Sequence, residues 1–166
     1  MIKNNLLNMQ PQGPEDTGFI LVHGQEKNFG SIILCNQVLR RSLGYSSKDL
    51  KHMNILDFMP TPIKKWHGGF VNDFSKSGGA STAMLNRTNC VFIKKKTGYI
   101  VPAMVHIRFH YSKDYDFTFV CFVSFMSQIQ IQKTVGTGRH KVENILFFIC
   151  DDVDGSVTDI SESCSK

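Results

Sequence analysis

No stretch of this 166-residue chain is apolar over anything near the roughly 20 residues that a membrane-spanning helix needs. The opening MIKNNLLNMQ has no long apolar core and no small-residue cleavage site, which argues against secretion. Cysteine is sparse: positions 35, 90, 121, 150 and 164 make an odd number, with no C-x-x-C. That excludes a disulfide framework and a structural zinc site, and a reducing compartment follows. Cys35, Cys90, Cys121 and Cys150 sit in apolar segments, where a thiol acts as a small hydrophobe. There is no Walker-type loop, no Ser-His-Asp set and no paired carboxylates. Gly136-Thr137-Gly138 is too short and badly placed to cradle a phosphate.

What is present is an ordinary globular composition, 42% hydrophobic and 20% charged. The net charge of +5 permits an acidic partner, but the basic residues fall in Arg40-Arg41, Lys64-Lys65 and Lys94-Lys95-Lys96. No stripe of them is interleaved with aromatics, so nucleic acid is not an expected partner.

Ile2, Leu6 and Met9 recur at helical spacing before Pro11, Gly13 and Pro14, giving an N-terminal helical cap or linker over 1–16. Gly18–Val22 and Ser31–Cys35 are apolar runs joined by a polar connection, a hairpin or bulged ribbon. Asn36 can cap a helix carrying Leu39 and Leu43 on one face, with Gly44 as its stop. Ser46 and Asp49 have the spacing of a capping box. Ile55–Met59 is a buried turn closed by Pro60 and Pro62. Ile63, Trp66, His67, Phe70 and Phe74 form the apolar stripe of a longer helix that ends at Gly78-Gly79.

Strands follow. Met84–Ile93 leads to a polar turn at Lys94–Gly98. Val101, Ala103, Val105, Ile107, Phe109 and Tyr111 then hold every second position, so one face of that strand is core. Phe117–Met126 is apolar on both faces and must be central. Two strands, several short helices, one longer helix and three antiparallel strands predict an α+β fold: a five-stranded antiparallel sheet with short helices packed on one face.

The residues Gly30-x-Ile32-x-x-x-Asn36, Leu43-Gly44-Tyr45-Ser46, Asn54-Ile55 with Pro60, and Lys96-Thr97-Gly98-Tyr99 with Pro102 occur in the order seen in PAS domains of the S-box type. Over about 17–128 the chain resembles that family. The resemblance implies a sensory or protein-docking module in signal transduction, without catalysis of its own. It leaves open a regulatory fragment of a larger signalling enzyme or membrane protein. Cytoplasmic placement, or the cytosolic part of a larger membrane-associated protein, is implied with it.

Residues 129–144 read as a linker without heptads. Residues 145–166 read as a partial second PAS-like strand–turn–strand, because Leu146–Cys150 and Ser156–Ile160 repeat the opening ribbon. Asp151–Gly155 between them is a polar turn; as a calcium loop it would put Cys150 first and Ser161 last, and neither serves.

Trp66, His67, Phe70 and Arg87 are the expected pocket residues, with Ile55, Val105 and Phe119 as walls. Met59-Pro60-x-Pro62-x-x-x-x-His67 with Arg87 also resembles haem-binding oxygen-sensor PAS domains. That likeness implies His67 as the iron ligand and Arg87 as donor to a distal ligand. The plainer reading is a packed core histidine, since Gly68-Gly69 weakens the helix that would hold the metal. Light-sensing relatives place an adduct-forming cysteine where this chain has Ile55, which makes covalent flavin chemistry unlike what the residues allow. On the outer face of the last strand, Val120, Phe122 and Met126, or the alternate set, would form an apolar patch with Met104. The N-terminal segment with Leu6 and Met9, or a second copy or protein partner, is expected to cover it.

Overall fold

The computed structural model describes residues 17–76, 84–126 and 146–162, without the side chains of 70–76. Strands β1 (Gly18–His23), β2 (Ile32–Cys35), β3 (Thr88–Lys94), β4 (Ile100–Ser112) and β5 (Asp116–Phe125) form one antiparallel sheet in the order β2-β1-β5-β4-β3. The strand apolar on both faces, β5, is central as its sequence requires. The segments between β2 and β3 make α1 (Gln37–Leu43), α2 (Ser47–Leu50), a 3₁₀ turn at Ile55–Phe58 and α3 (Thr61–Lys76).

Local chemistry sets these boundaries. Asn36 accepts the Leu39 N–H at the start of α1, and Gly44 stops it with φ 81°. Only glycine takes that left-handed conformation without strain. Ser46 and Asp49 exchange the two bonds of a capping box at 3.2 and 2.7 Å. Asn54 and Asp57 do the same for the 3₁₀ turn. The latter box holds the Asp57 carboxyl below its ordinary value: burial raises it, but the Asn54 N–H and Lys64 outweigh that.

One core lies between the sheet and the helices. Ile20, Val22, Ala103, Val105, Phe119, Cys121 and Val123 meet Leu39, Leu43, Leu50 and Phe58. The opposite face carries Phe19, Leu21, Val120 and Phe122, with Ile33 and Leu34 against them. This fixes the register of β5: Val120 and Phe122 face outward. They are nevertheless buried within the single chain, so the centre of that face is no bare apolar surface for a second subunit. The expected cover by Leu6 and Met9 lies outside the described residues.

Two expectations need correction. Ile63 and Trp66 do not line the buried side of α3; Trp66 is 65% exposed. The inward face of β4 is core only through Ile107: Phe109 and Tyr111 continue the alternation but are 57% and 67% exposed. Strand β3 pairs with β4 only from Ile100 to His106, so the β4–β5 hairpin projects beyond it.

Residues 146–162 form a separate hairpin, β6 (Phe148–Cys150) with β7 (Val157–Ile160). Its pairing repeats that of β1 with β2. Ile20↔Cys35, Leu21↔Leu34, a bulge and Val22↔Ile32 match Phe148↔Ile160, Ile149↔Asp159, a bulge and Cys150↔Val157. The turn between them is closed by Gly155 at φ 71°, and Asp151 and Asp154 each accept a nearby backbone N–H. The hairpin packs on the first sheet, with Ser161 bridged to Ile100 and the Phe147 ring 5.1 Å from that of Phe92.

Candidate functional site

Helix α3 packs against the 3₁₀ turn and β7, and the one polar side chain described on it that is not exposed is His67. The ring is half-buried and lies 6.3 Å from Phe29. Its Nδ1 has no hydrogen-bond partner. Burial penalises the imidazolium, lowering the pKa, so the ring is neutral at neutral pH.

Beneath it runs a row of aromatic rings. Phe29 meets Phe119 edge-on at 5.9 Å, Phe119 meets Phe117 at 5.0 Å, and Phe117 meets Phe109 at 4.9 Å. Such edge-to-face pairs each contribute about 0.5–1.5 kcal/mol beyond their burial. The row begins at Phe29, beside His67, and ends at the exposed Phe109.

Two glycines and an amide set this row. A Cβ on Gly24 would stand 2.3 Å from Phe117 Cδ1, so only glycine lets that ring lie flat on the β1 end. Gly30 has φ 75°, and a Cβ there would meet Asn54 Oδ1 at 2.6 Å. Asn54 Nδ2 donates to the Phe29 carbonyl at 2.7 Å, and the Ile55 N–H donates to the Gly30 carbonyl at 2.8 Å. Phe29 is thereby pinned beneath the helix.

Of the residues expected at a pocket, His67, Ile55, Val105 and Phe119 converge on this inner face. Trp66 faces solvent. Arg87 is exposed just before β3. The Phe70 side chain lies outside the described residues. Sequence reading missed Phe29, Phe109 and Phe117; the flanking Gly24 and Gly30 were the signal that rings pack closely there.

Nothing among the described residues supports the haem reading: Phe29 stands beside the imidazole, and Arg87 is exposed just before β3. Among the described residues, no three His, Cys, Asp or Glu side chains group as a metal site would. The Cys121 thiol is pushed up to about 12 by burial. Burial also takes Cys35 up to about 12 against the nearby Arg40. Neither is a thiolate nucleophile at neutral pH. The lysine clusters are faced by acids: Lys64 by Asp57, Lys65 by Asp151, and Lys94, Lys95 and Lys96 by Asp159, Glu162 and Asp49.

No protein-family model matches the sequence, and no curated protein matches it. Solved structures do. A PAS domain from Desulfitobacterium hafniense is 17% identical, with a TM-score of 0.52 over 74% of this chain and 99% of its own. A PAS domain of a two-component sensor histidine kinase is 14% identical, with a TM-score of 0.51 over 75% and 94%. A light-oxygen-voltage domain studied with a flavin analogue is 12% identical, with a TM-score of 0.53 over 81% and 90%. With the sheet order and the helices gathered on one face, these likenesses show that the chain has the PAS fold.

Proposed function

We propose that this chain is a non-catalytic sensory module. It holds a small planar molecule between α3 and the aromatic row, and passes the change in helix seating to a protein partner. The observation that carries this reading is the neutral, unpartnered imidazole of His67 beside Phe29, at the head of a row of rings that ends at the exposed Phe109. A flat ligand would stack on Phe29 or Phe119 and satisfy Nδ1 with one donor or acceptor. The fold supports the sensory role by analogy with the sensor-kinase PAS domain and the light-oxygen-voltage domain. Binding would favour one packing of α3 over another.

Under the same reading the hairpin 146–162 opens a second unit of this kind. Its register and bulge support that, as does Ser161, which occupies the place of Asn36. The Phe147 N–H donates to Ser161 Oγ at 3.1 Å, as the Phe19 N–H donates to Asn36 Oδ1 at 3.0 Å. A reducing, cytosolic setting accords with the four described cysteines being free. No described helix is long and apolar enough to cross a membrane.

The test is an absorbance spectrum and native mass measurement of freshly purified protein, then a panel of aromatic heterocycles followed by NMR of the Phe and His rings. The expected result is a shared binder that shifts Phe29, Phe119 and His67 and loses at least tenfold affinity in His67→Ala. Binders that leave those rings unmoved, or no binder at all, would overturn the reading.

A further inference from the structure

Helix α3 starts poorly supplied by its own sequence. Its first bond runs from the Lys64 N–H to the Pro60 carbonyl at 3.0 Å. Pro60 therefore sits at the cap, where it has no side-chain oxygen, and Pro62 has no N–H. The free donors of the first turn are those of Thr61 and Ile63. The Thr61 N–H is accepted by Asp159 Oδ2 at 2.9 Å, from β7, 98 residues along the chain.

Asp159 is a buried charge, with a side chain 0% exposed. Such a charge persists only when paired and hydrogen-bonded. Its other oxygen takes Lys94 Nζ at 2.6 Å, at the end of β3, and the same ammonium reaches Thr61 Oγ1 at 3.4 Å. One carboxylate thus joins three elements: the start of α3, the end of β3 and the middle of β7. Around it, Lys95 pairs with Glu162 at 2.7 Å, and Lys65, one turn into α3, lies 3.7 Å from Asp151. Ser161 continues the junction along the backbone of β4 at Ile100. The ladder of β5 on β4 ends at Ala103, with one more bond from the Met126 N–H to the Pro102 carbonyl.

We propose that the hairpin 146–162 is a clasp that reads the seating of α3. The Thr61 N–H and Asp159 stay together only while the helix start keeps its place against β3. A shift of α3 over the aromatic row pulls the donor from the carboxylate and leaves a buried charge short of one partner, which favours release of the hairpin. Coupling is reciprocal: a docked hairpin holds α3 in its seated position. This extends the sensory reading, but it concerns the unliganded protein and can fail or hold independently of any ligand.

The test is hydrogen–deuterium exchange on the full 166-residue chain without ligand. Asp159→Ala is expected to speed exchange at least tenfold both in segment 61–65 and in segment 147–161, with β1 and β5 unchanged. Asp159→Asn keeps an acceptor for Thr61 and is expected to fall between. His67→Ala alters α3 at a distance from the hairpin and is expected to speed exchange in 147–161 at least threefold. Should Asp159→Ala not fold, Lys94→Met removes the ammonium and leaves the Thr61 bond, with the same two segments as readout. If Asp159→Ala (or Lys94→Met in its place) loosens the hairpin and leaves 61–65 unchanged, the clasp is refuted. It is equally refuted if His67→Ala leaves the hairpin unchanged.

Discussion

Asn36 and Phe19 are bonded in both directions. The Phe19 N–H donates to Asn36 Oδ1 at 3.0 Å, and the Asn36 N–H donates to the Phe19 carbonyl at 3.0 Å. The same Oδ1 accepts the Leu39 N–H, and Nδ2 donates to the Thr17 carbonyl at 3.0 Å. One amide therefore ties the start of β1 to the start of α1. Asn36→Ala removes a cap worth about 1 kcal/mol and two further side-chain bonds of about 1 kcal/mol each. A loss of about 2–3 kcal/mol is expected from urea midpoints. Asn36→Asp keeps the acceptor and loses the donor, so it should cost less.

His67 gives the fold a pH dependence. The unfolded chain takes up a proton near the ordinary histidine value of about 6.5, while the folded chain resists it because the ring is buried. The unfolded state then binds more protons, so stability rises with pH. The loss sets in as pH drops below about 6.5 and grows until the folded ring also titrates. His67→Gln should flatten this part of the profile. Urea titrations at pH 5.5 and 7.5 check it, and an unchanged slope would mean that the ring is not shielded.

Two glycines should respond with opposite signs. Gly24→Ala drives a methyl into the Phe117 ring and should destabilise by about 1–3 kcal/mol. Gly69 lies in α3, is exposed, and has nothing within 4 Å of where a Cβ would stand. Gly69→Ala should raise stability by about 0.5–1 kcal/mol through helix propensity alone. Thermal melts of the two variants side by side decide the matter.

The thiols should divide by burial. Cys90 and Cys150 are exposed, whereas Cys121 is buried and Cys35 is largely shielded. A maleimide pulse at pH 7 should label peptides containing Cys90 and Cys150 within minutes. Cys35 and Cys121 should be labelled only as the protein unfolds. Prompt modification of Cys121 would contradict the register of β5.

Much of this was legible in the sequence because it is local. Caps at Asn36 and Ser46 depend on residues three positions apart, and the middle position of β5 follows from its unbroken apolar run. What was hidden depends on distant parts of the chain. The apolar spacing of Ile63 and Trp66 gives no hint that the helix turns them to solvent. The alternation through Phe109 and Tyr111 persists past the point where the core ends. Asp159 lies within the strand run Ser156–Ile160, and nothing marks it out until the fold brings Thr61 to it. His67 was readable as an inward side chain, but Phe29 beneath it was concealed in a polar connection.

The centre of the sheet is the last of its strands to be synthesised. Val22 faces Phe119 across almost a hundred residues of chain, and at about 5–20 residues per second its partner emerges roughly 5–20 seconds later. Until then the opening ribbon has one unsatisfied edge and two apolar sides, a species prone to aggregate on the ribosome. A nascent chain halted before residue 116 should therefore engage chaperones, whereas one extended beyond 126 should let them go.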